Sequence, residues 1–323
     1  MTPPAFWQTG GPVAAVLAPL GIVTRLATAR RVARPGWRAS VPVICCGNAT
    51  VGGAGKTPLC LDILARLRAS GIDAHALTRG HGGSLPGPIR VDPALHNAAQ
   101  VGDEALLLAQ QAPTWAGADR AATARAAIAA GAQALVMDDG LQNPSLQKTC
   151  SLLVIDGGAG FGNGRLLPAG PLREPIAAAA QRCAAAVVIG DDTHEAAAAL
   201  PPDLPVLRAH LAPGPEMLAL AGHRVLAFAG IGRPAKFFAT LEQAGIVLAE
   251  TASFADHHVY RAAELAALRA RATDLDARLV TTTKDHVRLA TSDRELAVQL
   301  GAILVWEERD AVEQLLRQQA VLF

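Results

Sequence analysis

The chain has 323 residues, of which 51% are hydrophobic and 18% are charged, and its formal net charge is +1. These values exclude an intrinsically disordered chain and give no support to nucleic-acid binding, while the length favours two domains with a substantial core. The five cysteines include no C-x-x-C pair, which argues against a disulfide scaffold and a zinc ribbon and favours a reducing, cytosolic setting.

Residues 1–40 differ in composition from the rest of the chain. No charged side chain occurs in residues 1–24, and five arginines then follow without an acidic residue: Arg25, Arg30, Arg31, Arg34 and Arg38. A secretory signal would carry its positive charge before the apolar stretch. The longest apolar run, residues 13–23, is interrupted by Pro19 and Gly21, so a membrane-spanning helix is not expected either. We expect a membrane-associating helix that lies on an anionic lipid surface; the alternative is a helix that packs on its own domain and leaves its arginines in solvent.

Beyond residue 40, short apolar runs alternate with Ala- and Leu-rich helical stretches, which is typical of an α/β fold with a parallel sheet covered by helices. The predicted strands are residues 41–46, 74–78, 134–137, 152–155, 185–189, 225–229, 278–282 and 303–305. The predicted helices are residues 57–70, 103–111, 120–130, 236–244, 261–272 and 311–319. The proline-rich stretch 201–215 predicts a linker. We therefore place one α/β domain at 41–215 and a second, smaller α/β domain at 222–323, whose last helix could pack on either domain.

A glycine-rich loop and then a helix follow the strand predicted at 41–46. This order predicts a phosphate-binding loop, because glycines allow several backbone N–H groups to converge on a phosphate at a helix N-terminus. The predicted nucleotide-binding residues are Thr50, Val51, Gly52, Gly53, Ala54, Gly55, Lys56 and Thr57. Lys56 would contact the β- and γ-phosphates, and the hydroxyl of Thr57 would hold Mg²⁺. The match to G-x-x-x-x-G-K-[ST] is incomplete at its first position, where this chain has Thr50.

The residues in and beyond this loop favour an ATP-dependent kinase over two related classes of protein. A partition-type ATPase switch usually carries an extra lysine near the position of Val51. A guanine-specific protein usually carries N-K-x-D or T-K-x-D, and in the nearest match, Thr283-Lys284-Asp285, the aspartate comes one position too early. A soluble small-molecule P-loop kinase and a nucleotide-driven ATPase switch remain as alternatives.

Two carboxylates follow the strand predicted at 134–137. Asp138 and Asp139 would lie at the carboxyl edge of the sheet, where open α/β sheets bind their ligands. Either side chain could organise Mg²⁺ opposite Thr57. The alternative is an acidic turn with no ligand.

The irregular segment 162–175 ends in Arg173 and Glu174, and loops of this length are often functional. Arg173 could neutralise charge on a transferred phosphoryl group, and Glu174 could join the Mg²⁺ ligands. The alternative is a surface ion pair.

A short acidic and histidine-containing loop precedes the helix predicted at 261–272. It contains Asp256, His257 and His258. Adjacent histidines on a loop suggest a proton acceptor or a ligand, and the alternative is a structural pair. Zinc is not favoured, because no third ligand follows at a short helical spacing.

These motifs, at 48–58, 138–142, 167–174 and 256–258, together resemble the tetraacyldisaccharide 4'-kinase family, the lipid A 4'-kinases of Gram-negative bacteria, and occur in the family's order. The resemblance implies a P-loop NTPase-like fold and an enzyme that uses ATP and Mg²⁺. It implies phosphorylation of the 4'-hydroxyl of tetraacyldisaccharide 1-phosphate, which forms lipid IVA. In this family an Asp/His pair is thought to activate the sugar hydroxyl, and the matching residues here are Asp103 and His257. The expected catalytic residues are thus Asp103, His257, Lys56 and Arg173, and the expected metal ligands come from Thr57, Asp138, Asp139 and Glu174.

The resemblance also implies where the protein works. A substrate with four acyl chains stays in the bilayer, since each buried CH₂ contributes about 0.8 kcal/mol. We therefore expect a peripheral or monotopic protein at the cytoplasmic face of the bacterial inner membrane, whose partners are the membrane-embedded glycolipid and the lipid surface. Neither a nucleic acid nor an obligate protein partner is expected.

Overall fold

The computed structural model describes residues 4–232, 234–319 and 321. In chain order, the elements of this part are α1 (Phe6–Thr9), α2 (Pro12–Leu17), α3 (Gly21–Val32), β1 (Val43–Gly47), α4 (Lys56–Ala69), β2 (Ala74–Thr78), β3 (Ile89–Val91), α5 (Ala98–Val101), α6 (Asp103–Ala109), β4 (Thr114–Ala116), α7 (Arg120–Ala129), β5 (Ala134–Asp138), β6 (Cys150–Asp156), α8 (Ile176–Ala180), β7 (Ala185–Ile189), β8 (Val206–Pro213), β9 (Arg224–Ala229), α9 (Pro234–Gln243), β10 (Val247–Ser253), α10 (Ala262–Asp274), β11 (Arg278–Thr282), α11 (Thr283–His286), β12 (Val298–Leu300), β13 (Ala302–Trp306) and α12 (Ala311–Gln318).

The larger sheet contains nine strands within the described residues, in the order β13-β8-β7-β6-β1-β5-β2-β4-β3. The outer strands β13 and β3 run antiparallel to their neighbours, and the other pairs are parallel. Strands β1, β2, β5 and β7 are buried at every position, as expected for parallel strands covered on both faces. The predicted parallel sheet flanked by helices is therefore confirmed.

The smaller sheet has the order β10-β9-β11-β12, and all its strands are parallel. After β12 the chain returns to the larger sheet, because β13 pairs with β8. Val312 and Leu316 of α12 then join the core cluster that contains Leu59 and Ile63 of α4. The last helix thus packs beside the predicted phosphate-loop helix, while the domain limits at 41–215 and 222–323 stay a prediction.

Strand β8 occupies most of the proline-rich stretch 201–215, which the sequence analysis predicts to be a linker. β8 pairs in parallel with β7 and antiparallel with β13, so the prediction of an irregular linker at 201–215 is wrong. Pro205 precedes the strand and Pro213 is its last residue. Proline is tolerated at strand ends because no ladder hydrogen bond of the interior needs its missing N–H.

The N-terminal segment is helical over a longer stretch than the sequence predicts. Pro12–Val32 forms one helix that is long and apolar enough to cross a membrane, by length and composition alone, and 17% of its apolar window is buried. The helical stretch continues through Pro19 because the chain changes there to a short 3-10 segment, Ala18–Leu20, that joins α2 to α3. The expected interruption is thus a local change of helix type and does not end the helical stretch. Six large apolar side chains of this helix are exposed: Val13, Val16, Leu20, Ile22, Val23 and Leu26. The helix is compatible with membrane association.

Candidate active site

The glycine-rich loop lies between the buried strand β1 and helix α4, at the carboxyl edge of the larger sheet. Gly55 precedes α4 with φ +84°, and Gly52 has φ +121°. Both values lie in the left-handed region, which glycine adopts at no steric cost. The backbone N–H groups of the loop therefore lie next to the N-terminus of α4, where the unpaired N–H groups and the positive end of the helix dipole favour binding of a phosphate.

Lys56 is held over this loop by its own neighbours. Its Nζ donates to Asn48 Oδ1 at 3.2 Å and to the carbonyl of Gly52 at 3.4 Å. Asp139 Oδ2 lies 3.8 Å from the same nitrogen. The ammonium group is thus positioned by three oxygens and is available to a phosphate that approaches the loop.

Thr57 and Asp138 form a buried pair at the start of α4. Thr57 Oγ1 donates to Asp138 Oδ2 at 2.8 Å, and among the described residues Asp138 Oδ1 has no hydrogen-bond partner. Burial, followed by the nearby Glu104 carboxylate, raises the pKa of Asp138 above its ordinary value. A carboxylate oxygen that is buried without a partner beside a hydroxyl fits a hard cation such as Mg²⁺.

Asp139 connects the loop to the segment that ends in Arg173. Arg173 Nη1 lies 3.3 Å and 3.2 Å from the two carboxylate oxygens of Asp139 and 3.4 Å from Gln142 Oε1. Asp139 has φ +54°, an unusual conformation for a non-glycine residue. Arg120 Nη2 donates to its backbone carbonyl at 3.2 Å. Burial lowers the pKa of Arg120 to about 10, so the guanidinium is still a cation at neutral pH. Its hydrogen bond to the carbonyl of Asp139 helps to hold this unusual backbone conformation.

Glu174 has different neighbours from the other predicted metal ligands. Its buried Oε1 accepts from Gln142 Nε2 at 2.8 Å and from Arg182 Nη2 at 2.7 Å. Gln142 Nε2 also donates to the carbonyl of Asn48 at 2.9 Å. The Mg²⁺ role of Glu174 stays a prediction, and these contacts favour a structural role in which Glu174 orients Gln142 beneath the loop.

Asp103 and His257 meet from different sheets. Asp103 is the first residue of α6, which packs on the larger sheet, and His257 lies in the loop after β10 of the smaller sheet. His257 Nδ1 is 3.1 Å from Asp103 Oδ2. Because Asp103 accepts, Nδ1 donates and the lone pair of a neutral imidazole is on the exposed Nε2. His257 has φ +59°, a second strained backbone position at this edge.

The adjacent histidine, His258, contacts neighbours within the smaller domain. His258 Nε2 is 3.0 Å from Glu264 Oε2, and its ring stacks on Phe254 with centroids 4.7 Å apart. Among the described residues no group of three or more His, Cys, Asp and Glu side chains is arranged to hold a metal.

Arg288, like Arg120, is a residue of this site that sequence patterns did not identify. Its Nη2 and Nε lie 2.5 Å and 3.2 Å from Asp103 Oδ2, and its Nη1 donates to Asp285 Oδ1 at 3.0 Å and to the carbonyl of Gly230 at 2.8 Å. Burial opposes ionisation of Asp103, but the Arg288 guanidinium, followed by His257 and Lys284, holds the pKa of Asp103 below its ordinary value. Asp103 is therefore anionic when it contacts His257.

Comparison with known proteins identifies the family of this chain. A family model for tetraacyldisaccharide-1-P 4'-kinase matches residues 13–320. The chain belongs to this kinase family. The resemblance inferred from the motifs is thus confirmed.

Relatives in the 4'-kinase family match along nearly the whole chain. A tetraacyldisaccharide 4'-kinase of Rhodospirillum centenum is 55% identical over 98% of this chain and 96% of its own length. Another from Gluconacetobacter diazotrophicus is 55% identical over 98% of this chain and 97% of its own length.

A solved structure shares the fold. It is described as the "apo" form of LpxK from Aquifex aeolicus in complex with ATP, and it superposes with a TM-score of 0.77 at 22% identity over 97% of this chain and 100% of that chain. At this identity the likeness supports the fold alone. The P-loop NTPase-like fold class predicted from the sequence is confirmed.

Proposed function

We propose that the protein transfers the γ-phosphoryl group of ATP to the 4'-hydroxyl of tetraacyldisaccharide 1-phosphate and so forms lipid IVA, with Mg²⁺ as the required cation. Membership of the 4'-kinase family supports the substrate and the reaction. The observation that carries the proposal is the Asp103–His257 pair, because an imidazole oriented by a carboxylate can accept the proton of the acceptor hydroxyl.

The phosphates of ATP are bound by the loop and by Lys56. Phosphoryl transfer passes through a loose transition state, so positioning and charge neutralisation contribute most of the catalysis. Lys56 contacts the β- and γ-phosphates, and Arg173 turns from Asp139 toward the transferred group. Thr57 and Asp138 would hold Mg²⁺, which when bound neutralises charge on the phosphate oxygens.

The acceptor hydroxyl loses its proton to His257 Nε2. The 4'-oxygen forms a bond to the γ-phosphorus while the bond from that phosphorus to the β,γ-bridging oxygen breaks, and ADP leaves. Asp103 accepts from His257 Nδ1–H, which fixes the tautomer and stabilises the imidazolium that results.

The N-terminal helix brings this site to a lipid surface. Its exposed apolar side chains and the arginines that follow suit an interface with anionic headgroups. We assign the protein to the cytoplasmic face of the bacterial inner membrane as a peripheral or monotopic enzyme, because ATP is cytoplasmic and the acylated substrate stays in the bilayer.

The test is transfer of labelled γ-phosphate from ATP to tetraacyldisaccharide 1-phosphate in mixed micelles. We expect labelled lipid with the wild-type protein and none with Lys56→Ala. Lys236→Ala, an exposed lysine on α9, is the matched control and should behave as wild type. Wild-type protein that releases free phosphate without labelled lipid would make the protein an ATPase switch. Activity on water-soluble sugars but not on the lipid would make it a soluble small-molecule kinase.

A further inference from the structure

Helix α3 has two different faces. One carries the exposed apolar side chains Ile22, Val23 and Leu26, and the other approaches the loop that leads to Arg173. The approach is close, since a Cβ added to Gly21 would lie 3.1 Å from the Cβ of Leu166. The helix that meets the lipid therefore also forms a wall beside the 165–173 loop.

Two hydroxyls of α3 donate to that loop. Thr24 Oγ1 donates to the carbonyl of Leu167 at 2.7 Å, and Thr28 Oγ1 donates to the carbonyl of Arg173 at 3.1 Å. Threonine in a helix usually bonds to a carbonyl of its own helix one turn back. Here both hydroxyls reach another segment, and Thr28 is buried although most of α3 is exposed.

The same loop is bonded to the phosphate-binding loop on its other side. Arg173 N donates to the carbonyl of Ala49 at 2.7 Å, and Val51 N donates to the carbonyl of Pro171 at 2.8 Å. Thr50 and Leu172 form an antiparallel bridge between these hydrogen bonds. The backbone of Arg173 is thus held between the phosphate-binding loop at its N–H and α3 at its C=O.

We infer that Thr24 and Thr28 are positioning residues for Arg173, so that the membrane-facing helix takes part in phosphoryl transfer as well as in lipid contact. The inference rests on the proposed function, because it concerns the geometry of the proposed site. The backbone position of Arg173 limits where its guanidinium can lie, both beside Asp139 and at the transferred group, and small displacements of a charged group greatly reduce catalysis.

The first variant is Thr28→Val, which keeps the shape of the side chain and removes the hydroxyl. We expect kcat for labelled lipid to fall about tenfold, while the KM for lipid and co-sedimentation with anionic vesicles stay at the wild-type values. Thr28→Ser should restore kcat to within about twofold of the wild type, because serine keeps the donor. Thr273→Val is the matched control, since this exposed threonine bonds to Arg269 within α10.

A double variant distinguishes a role of Thr28 in positioning Arg173 from a role of α3 in membrane anchoring alone. If Thr28 acts through Arg173, Thr28→Val should have no further effect on kcat in an Arg173→Met background. Thr24→Val should reproduce the loss of kcat and replaces Thr28→Val if that variant does not fold. Loss of vesicle binding or a raised KM at normal kcat would assign α3 to anchoring alone and overturn the inference. Wild-type kcat in both threonine variants would overturn it as well, whereas absence of labelled lipid with wild-type protein would overturn the proposed function.

Discussion

Asp103 and His257 are 154 positions apart in the sequence, and their side chains meet with 3.1 Å between Oδ2 and Nδ1. The aspartate belongs to a helix on the larger sheet and the histidine to a loop of the smaller sheet. The contact therefore depends on the arrangement of both sheets.

Removal of the imidazole tests the proposed proton acceptor. We expect His257→Ala to lower kcat about a hundredfold with little change in the KM for lipid, because general-base catalysis contributes about 10²-fold to 10⁴-fold. Steady-state kinetics in mixed micelles measures both parameters. The exposed His223, which contacts only its own turn in the described structure, provides His223→Ala as the control. Wild-type kcat for His257→Ala would remove the base from the mechanism.

The Mg²⁺ ligands are distinguished by two substitutions that preserve side-chain shape. We expect Asp138→Asn to lower kcat about a hundredfold and to raise the Mg²⁺ concentration required, because it removes charge beside Thr57. Glu174→Gln should change the Mg²⁺ requirement little, because Glu174 contacts Gln142 and Arg182. Mg²⁺ titrations at saturating ATP measure the difference. An equal increase in both variants would return Glu174 to the set of metal ligands.

Loss of the guanidinium at position 288 tests the contact between the two sheets. Arg288→Met should lower the free energy of unfolding at pH 7 by about 3 kcal/mol, because it leaves the Asp103 carboxylate buried without its main partner. Arg271→Met, the control, breaks an exposed ion pair with Glu250 and should change the free energy of unfolding by less than about 1 kcal/mol. Chemical denaturation measures both values.

The Arg288→Met effect should depend on pH in a defined direction. Arg288 lowers the pKa of Asp103 below its ordinary value of 3.8 against the opposing effect of burial, and His257 and Lys284 also lower it. The stabilisation is therefore fully present above pH 3.8 and is lost as pH falls through the lower pKa of the folded state. A difference between wild type and variant that grew as pH fell below this value would contradict the pairing.

The lipid-facing surface can be tested without kinetics. Val16 and Val23 are 78% and 66% exposed on the N-terminal helix. The double variant Val16→Asp/Val23→Asp should bind anionic vesicles at least about a hundredfold more weakly, because each valine transferred to an apolar phase contributes about 1.5 kcal/mol. Val247→Asp, at an exposed position of β10, is the control and should bind normally. Equal binding by all three proteins would show that this face does not meet the lipid.

The sequence predicts those parts of the site whose residues lie close together along the chain. The phosphate-binding loop and Asp138 lie on a strand–loop–helix unit and a neighbouring strand, and these signals are contained in short stretches of chain. The sequence does not indicate the role of Arg288, because its partner Asp103 lies 185 positions away and no motif around Arg288 predicts their contact. Strands β3, β4 and β12 have three residues each, too few to produce a periodic pattern.

Two prolines predict breaks that the structure does not contain, because the effect of a proline depends on its position in the helix or strand. Pro213 ends β8 and Pro19 opens a 3-10 turn, and at both places the missing N–H is tolerated. The sequence gives the positions of the prolines, but it does not show whether the backbone N–H that each proline lacks would have taken part in a helix or strand hydrogen bond.

The pairing of β8 with β13 makes the smaller sheet an insertion in the larger one. The chain leaves at Gly214 and returns at Gly301, whose carbonyl accepts from Gly214 N at 2.9 Å. A protein cut at the end of β8 would lose β13 and α12 from the core beside α4, whereas excision of residues 214–301 would leave two ends close enough to join. The part of this kinase that contains the phosphate-binding loop is therefore contiguous in space but divided in sequence, and the chain must be synthesised through α12 before that part can close its core.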